Sequence, residues 1–207
     1  MATLSIVTYP QKILKRRADL VSPSPDLQKL IPQMVEAMYK NEGIGLAAPQ
    51  IGISKRVIIV ETSQDPRKTV RSASAPRASA DKKVRGRPLA FLNPVITKKT
   101  GKLISEEEGC LSLPGIFVPV KRKASVEIRC QTPAGKEVKI EAGGLTARIF
   151  QHEIDHLLGK LIIDRISPLK RLKLRKQLRA LARANTGMNV LPALSLQSIG
   201  KILSRQI

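Results

Sequence analysis

His152-Glu153-Ile154-Asp155-His156 has the HExxH form. On a helix, residues four apart share a face, so both imidazoles can reach one metal ion while the glutamate beside the first reaches a water at that ion. Five-residue patterns occur by chance, and a histidine on a helix is ordinarily a packed or surface residue. These two are, however, the only histidines in the chain, and one frame contains both.

A catalytic metal usually takes three protein donors and keeps one open position. After His156 no histidine remains and the only acidic residue is Asp164, a weak candidate because it lies beyond the helix-ending Gly159. Upstream, Glu108-Gly109-Cys110-Leu111-Ser112 presents a cysteine beside a glycine that permits close backbone approach, and Cys110 is the better donor. Glu108 is a candidate to orient the metal shell, whereas Glu106 and Glu107 read as solvated neighbours. Cys130 lies in an apolar run and reads as a packing residue. Two cysteines are too few for a disulfide framework, and a free thiolate suits a reducing compartment.

The elements that must position these groups can be read from periodicity. Asp26 to Asn41 carries apolar residues at helical spacing, with Pro32 predicting either a kink or a regular helix that starts near Leu30. Arg56 to Thr62 and Leu89 to Thr97 read as strands, and Ala124 to Gln131 with Glu137 to Ala142 as a hairpin around Thr132-Pro133-Ala134-Gly135-Lys136. Leu145 to Leu158 is the central helix. Ser167-Pro168 opens a last helix expected to run to about Asn185. Residues 63–88, rich in Ser, Ala, Pro, Lys and Arg, are expected to form a mobile insertion. The expected organisation is a catalytic domain over residues 1–166 and a basic C-terminal helix and tail over 167–207.

Gly43-Ile44-Gly45-Leu46-Ala47-Ala48-Pro49-Gln50, Glu108-Gly109-Cys110-Leu111-Ser112 and Gln151-His152-Glu153-Ile154-Asp155-His156, in this order, resemble the three signature motifs of peptide deformylases. The resemblance extends from about Leu4 to Arg179, interrupted by the insertion. It implies an α+β fold with antiparallel strands packed around a central metal-binding helix, and hydrolysis of the N-formyl group from the formylmethionine of nascent proteins. It further implies one divalent metal on Cys110, His152 and His156. Fe(II) is the family's metal; Zn, Ni or Co suit the same borderline-soft donors, and an iron–thiolate site is expected to be oxygen-sensitive.

In the same pattern Glu153 is base and then acid. The Gln50 amide and the Leu111 N–H meet the oxyanion, and the backbone of Gly45 pairs with the peptide. Ile44, Leu145 and Ile149 are the matching positions for an apolar pocket that accepts methionine. Asp155 is expected to pair with Arg122. Arg148, at a position often apolar in the family, and Phe117, where some members have arginine, are departures that bear on side-chain preference.

A formal charge of +21 favours polyanionic partners. The run from Arg165 to Arg183 interleaves cations with leucines, which suits ribosomal RNA near the tunnel exit; an anionic membrane surface would look the same. No run of about 18 apolar residues and no secretory signal pattern appears, so a cytoplasmic location is expected. Two rival functions remain: an HExxH peptidase cleaving internal peptide bonds, and a basic ribosome- or RNA-binding protein with a structural metal. The upstream cysteine donor opposes the first, and a general base that a closed site would not require opposes the second.

Overall fold

The computed structural model describes residues 4–62 and 86–186. Most of the expected insertion, and the tail from Gly187 onward, lie outside the described residues. In chain order the elements are α1 (Pro25–Lys40), β1 (Gly45–Ala47), β2 (Val57–Thr62), β3 (Arg87–Glu108), β4 (Val118–Gln131), β5 (Glu137–Gly143), α2 (Gly144–Leu157), α3 (Pro168–Lys173) and α4 (Arg175–Thr186), with short 3-10 turns between them. The five strands form one antiparallel sheet in sequence order, with β1 and β5 at its edges.

The unbroken apolar run Val57-Ile58-Ile59-Val60 has a simple cause: β2 is covered on both faces. Ile58 and Val60 join Phe91, Ile128, Phe150, Ile154 and Leu157 in a core between the sheet and α2. Val57 and Ile59 point the other way, into a core with Leu27, Leu30, Met34 and Met38 of α1. Side chains alternate across a strand, so one strand supplies both layers. A third core, with Leu14, Leu113, Val120, Leu161 and Leu178, ties the N-terminal segment and α4 to the turn that carries Cys110.

Three expectations are corrected. The helix expected over Asp26 to Asn41 is present as α1, but of the two readings of Pro32 the start near Leu30 is excluded: the helix begins at Pro25, where the Ser24 side chain accepts the Leu27 N–H at 3.2 Å, and Pro32 is carried inside it. Strand β3 continues to Glu108 instead of ending near Thr97, and β4 begins at Val118 rather than Ala124. The added length is held by pairing from Thr100 opposite Ser125 to Glu108 opposite Val118; on the β3 side residues 98–107 are all exposed and give no alternating pattern. The last helix is two helices, interrupted at Leu174, which together with Leu178 and Leu181 turns toward the third core.

Helix α2 ends where Gly159 adopts φ +69°, and a β-carbon there would collide with the carbonyl of Lys15. Gly159→Ala is expected to lower unfolding stability by at least about 1–2 kcal/mol from the left-handed backbone alone, with the backbone collision adding to it. Urea denaturation at an unchanged m-value would check this; a loss below that range would show that the helix end relaxes freely.

Candidate metal centre

Strand β3 ends at Glu108, and the chain turns immediately: the Leu113 N–H donates to the Cys110 carbonyl at 2.8 Å. That turn delivers the Cys110 thiol to the face of α2 bearing His152 and His156. One donor atom from each of the three side chains lies within 4.8 Å of the others, and Cys110 Sγ is 3.3 Å from His156 Nε2. His152 uses Nδ1 against Glu108 Oε2 at 3.1 Å, which leaves Nε2 as its available donor. A thiol and two imidazoles converging with one histidine already oriented by a carboxylate fit a first-row divalent metal. Asp164 is not in this group; it is bonded to Lys15, Arg171 and the Leu161 N–H.

Glu108 is the hub of the surroundings. Arg122 of β4 grips both its oxygens, Nε to Oε1 and Nη2 to Oε2, each at 2.9 Å. Arg148 of α2 adds Nη1 to Oε1 at 2.6 Å and also donates to the carbonyls of Val120 and Ile104. Burial works against the charged carboxylate, but the hydrogen bonds from His152 and Arg122 outweigh it and bring its pKa down to about 2. Arg122 also donates to Asp155 Oδ2 at 2.6 Å, so the expected pair is present, and Arg165 completes the coordination of Asp155. Arg148 therefore faces the metal-site brace and the β3–β4 backbone rather than a side-chain pocket. The signal that could have found this role was its spacing, since Arg148 and His152 are four apart on one helix face.

Glu153 lies in the opposite condition. It is buried, and Oε2 has no hydrogen-bond partner. Burial pushes its pKa up to about 7 against the pull of His152 and Arg122. It sits directly behind Gly45: a β-carbon on Gly45 would fall inside contact distance of the Glu153 carboxylate and of Ile149. Gln50 is buried with Oε1 fixed by the Ala47 N–H at 2.8 Å, while Nε2 lies 3.7 Å from Cys110 Sγ. Among the described residues no acceptor is bonded to the Leu111 N–H. Ile44 and Leu145 are exposed apolar side chains, Ile149 is buried, and the exposed Phe117 ring covers Gly109 next to Cys110. Cys130 is buried away from the metal ligands, its thiol pushed up to about 11 by burial.

Arg148→Met leaves Glu108 with Arg122 but frees two backbone carbonyls. It is expected to cost about 1–3 kcal/mol in unfolding stability and to weaken divalent-metal retention roughly 10-fold, read by urea titration and by metal competition with a chelator. The depressed Glu108 carboxyl also has a pH signature. Its contribution is fully present above the unfolded-state pKa of about 4.3 and is lost as pH falls through about 2. Glu108→Gln should flatten that acid limb; an unchanged limb would assign it to other carboxylates.

The sequence profile of the polypeptide deformylase family matches residues 3–172. A peptide deformylase of Thermodesulfovibrio yellowstonii is 48% identical over 178 residues, covering 86% of this chain and 97% of the relative. One from Tolumonas auensis is 39% identical over 184 residues, covering 88% and 98%. Among solved structures, a plant peptide deformylase superposes with a TM-score of 0.77 at 34% identity, covering 93% of this chain and 96% of that one. The enzyme of Ehrlichia chaffeensis gives 0.73 at 31% identity, covering 89% and 99%. The chain belongs to the polypeptide deformylase family, metal enzymes that hydrolyse the N-formyl group from the N-terminal formylmethionine of nascent proteins.

Proposed function

We propose that this deformylase works through a divalent cation, Fe(II) in the native enzyme, held by Cys110, His152 and His156, with Glu153 carrying the proton. The observation that supports it most is the buried, unpartnered Glu153 carboxyl next to three converging donors. A cation on this donor set would supply Lewis-acid chemistry, polarising the formyl oxygen and lowering the pKa of water. Zn, Ni or Co would suit the same donors.

Glu153 takes a proton from the attacking water and returns it to the amine nitrogen as the C–N bond breaks, releasing formate and the free N-terminus. Its raised pKa suits both halves of that exchange near neutral pH, because a group at about 7 accepts and donates with little penalty. Gln50 contributes a neutral donor to the developing oxyanion: with Oε1 occupied by the Ala47 N–H, its Nε2 is turned to the Cys110 side. The Leu111 N–H is the second donor. Gly45 lies on the edge strand β1, and a peptide extending that edge is compatible with strand-like pairing. Ile44, Leu145 and Ile149 form the apolar wall for the methionine side chain.

Residues 1–166 are the catalytic domain and 167–207 a basic extension that brings the enzyme to the ribosome near the tunnel exit, in the cytoplasm. Lys173, Lys176 and Arg179 are exposed beside the exposed Leu169 and Leu172, consistent with an RNA-facing surface. Among the described residues no helix is long and apolar enough to cross a membrane.

Iron- or nickel-loaded protein is expected to hydrolyse formyl-Met-Ala-Ser and leave acetyl-Met-Ala-Ser intact; equal turnover of both would remove the deformylase reading. Glu153→Gln should lower kcat by about 10²–10⁴-fold while metal content stays at one per chain. Reversing Lys173, Lys176 and Arg179 to Glu should reduce ribosome pelleting and its salt slope, leaving tripeptide turnover unchanged; undiminished pelleting would exclude these helices as the ribosome contact.

A further inference from the structure

A concavity lies on another face of α2. Gln151, Ile154, Asp155 and Leu158 recur there at i, i+3, i+4 and i+7, whereas the metal donors sit at 152 and 156. Together with β3, β4 and the segment around Arg17, they bound a cavity of about 670 Å³, within the range of small-molecule sites.

Its charge is one-sided. Arg17, Arg56, Lys99, Lys121 and Lys123 line it, and its single carboxylate, Asp155, is already bonded to Arg122 and Arg165. Arg56 is the most telling of these. It is 6% exposed; Nη2 donates to the Pro94 carbonyl at 2.8 Å, and Nε is buried without a partner. Among the described residues no carboxylate lies within ion-pair distance of Arg56 or Arg17. Burial, and then the nearby Arg17, lower the pKa of Arg56. A buried guanidinium with no counter-charge is unfavourable, and an anion in the cavity would remove that penalty.

Several cations facing one space ask for an anion with several charges, and guanidinium forks match phosphate oxygens in pairs. The wall also presents Leu20, Val95 and Leu103, which are 71%, 42% and 61% exposed. Apolar groups left this open beside a cationic wall suit a ligand with a non-ionic body. The cavity is a half-open concavity between sheet and helix, and its volume suits a small molecule.

We propose that this cavity binds a small polyphosphorylated molecule of nucleotide size, its phosphates on Arg17, Arg56, Lys121 and Lys123 and its body against Leu20, Val95 and Leu103. The site is separate from the formyl-peptide site, so its occupancy does not depend on the deformylase reaction.

The test is calorimetric titration of the metal-loaded full chain with magnesium-ADP, tripolyphosphate, inorganic phosphate and a short single-stranded RNA. One equivalent of ADP is expected to bind, with tripolyphosphate competing. The exposed pair Arg17→Glu and Lys121→Glu should weaken ADP at least about tenfold, the equivalent of one lost charge-assisted contact. Arg56→Gln should do the same, and deformylation by each variant reports that the fold is intact. The proposal is overturned by the absence of saturable ADP binding, by binding that the pair leaves unchanged, or by binding lost instead on charge reversal of Lys173 and Lys176. RNA that binds more tightly than ADP and is weakened by the same pair would also overturn it, marking a nucleic-acid surface.

Discussion

A carboxylate buried between two arginines and a histidine is stable only if all of them keep their places, and Glu108 imposes that condition on three elements at once. It ends β3, Arg122 comes from β4, and Arg148 and His152 come from α2. Removing Arg122, which grips both of its oxygens, would leave a buried charge partly unmatched, at a cost of roughly 3–5 kcal/mol, whereas loss of Arg148 leaves that grip in place. Cys110 lies two residues after Glu108, and His156 lies one helical turn after His152 on the same face of α2. The alignment of the three candidate donors is therefore a consequence of the ion network behind them, which fixes His152 through its Nδ1.

Two carboxylates within this small volume are driven to opposite ends of their range. Glu108 is held at about 2 by the hydrogen bonds that overcome its burial; Glu153 is pushed to about 7 because burial is not answered by any hydrogen bond to Oε2. The separation of roles follows from partners rather than residue type. One carboxylate can do no proton transfer at neutral pH and serves as a fixed anion. The other can exchange protons because nothing else claims them. Arg122 contacts the first directly and reaches the second only through the field.

The convergence of the candidate donors was the most legible part of the sequence. His152, Glu153 and His156 follow from helical spacing, Cys110 from the shortage of donors downstream, and Asp155 with Arg122 from the family pattern. The strand β2 was legible because burial on both faces leaves four consecutive apolar residues. The outer half of β3 was not, since residues 98–107 are exposed and mostly polar, and their strand state is set by the partner strand rather than by their own pattern. Pro32 misled in the other direction: its local penalty is overridden by an N-terminal cap and by burial of Leu27, Leu30 and Met34. Arg148 was misjudged because its position was compared with apolar residues of relatives, when its geometry depends on Glu108, forty residues away in the chain.

Gly45 joins the edge strand β1 to the buried Glu153 carboxyl. A short edge strand can accept an added peptide only if its outer side stays open, while its inner side must still be supported. Here the support comes from β2 through pairing of Gly45 with Val60 and from Glu153 and Ile149, which occupy the space a side chain would need. The absence of a β-carbon thus does two things at one position. It brings the backbone that would hold the peptide close to the carboxyl that would carry its proton, and it lets that carboxyl remain buried. Any side chain at residue 45 would have to displace Glu153, so the edge strand and this carboxyl cannot be altered independently.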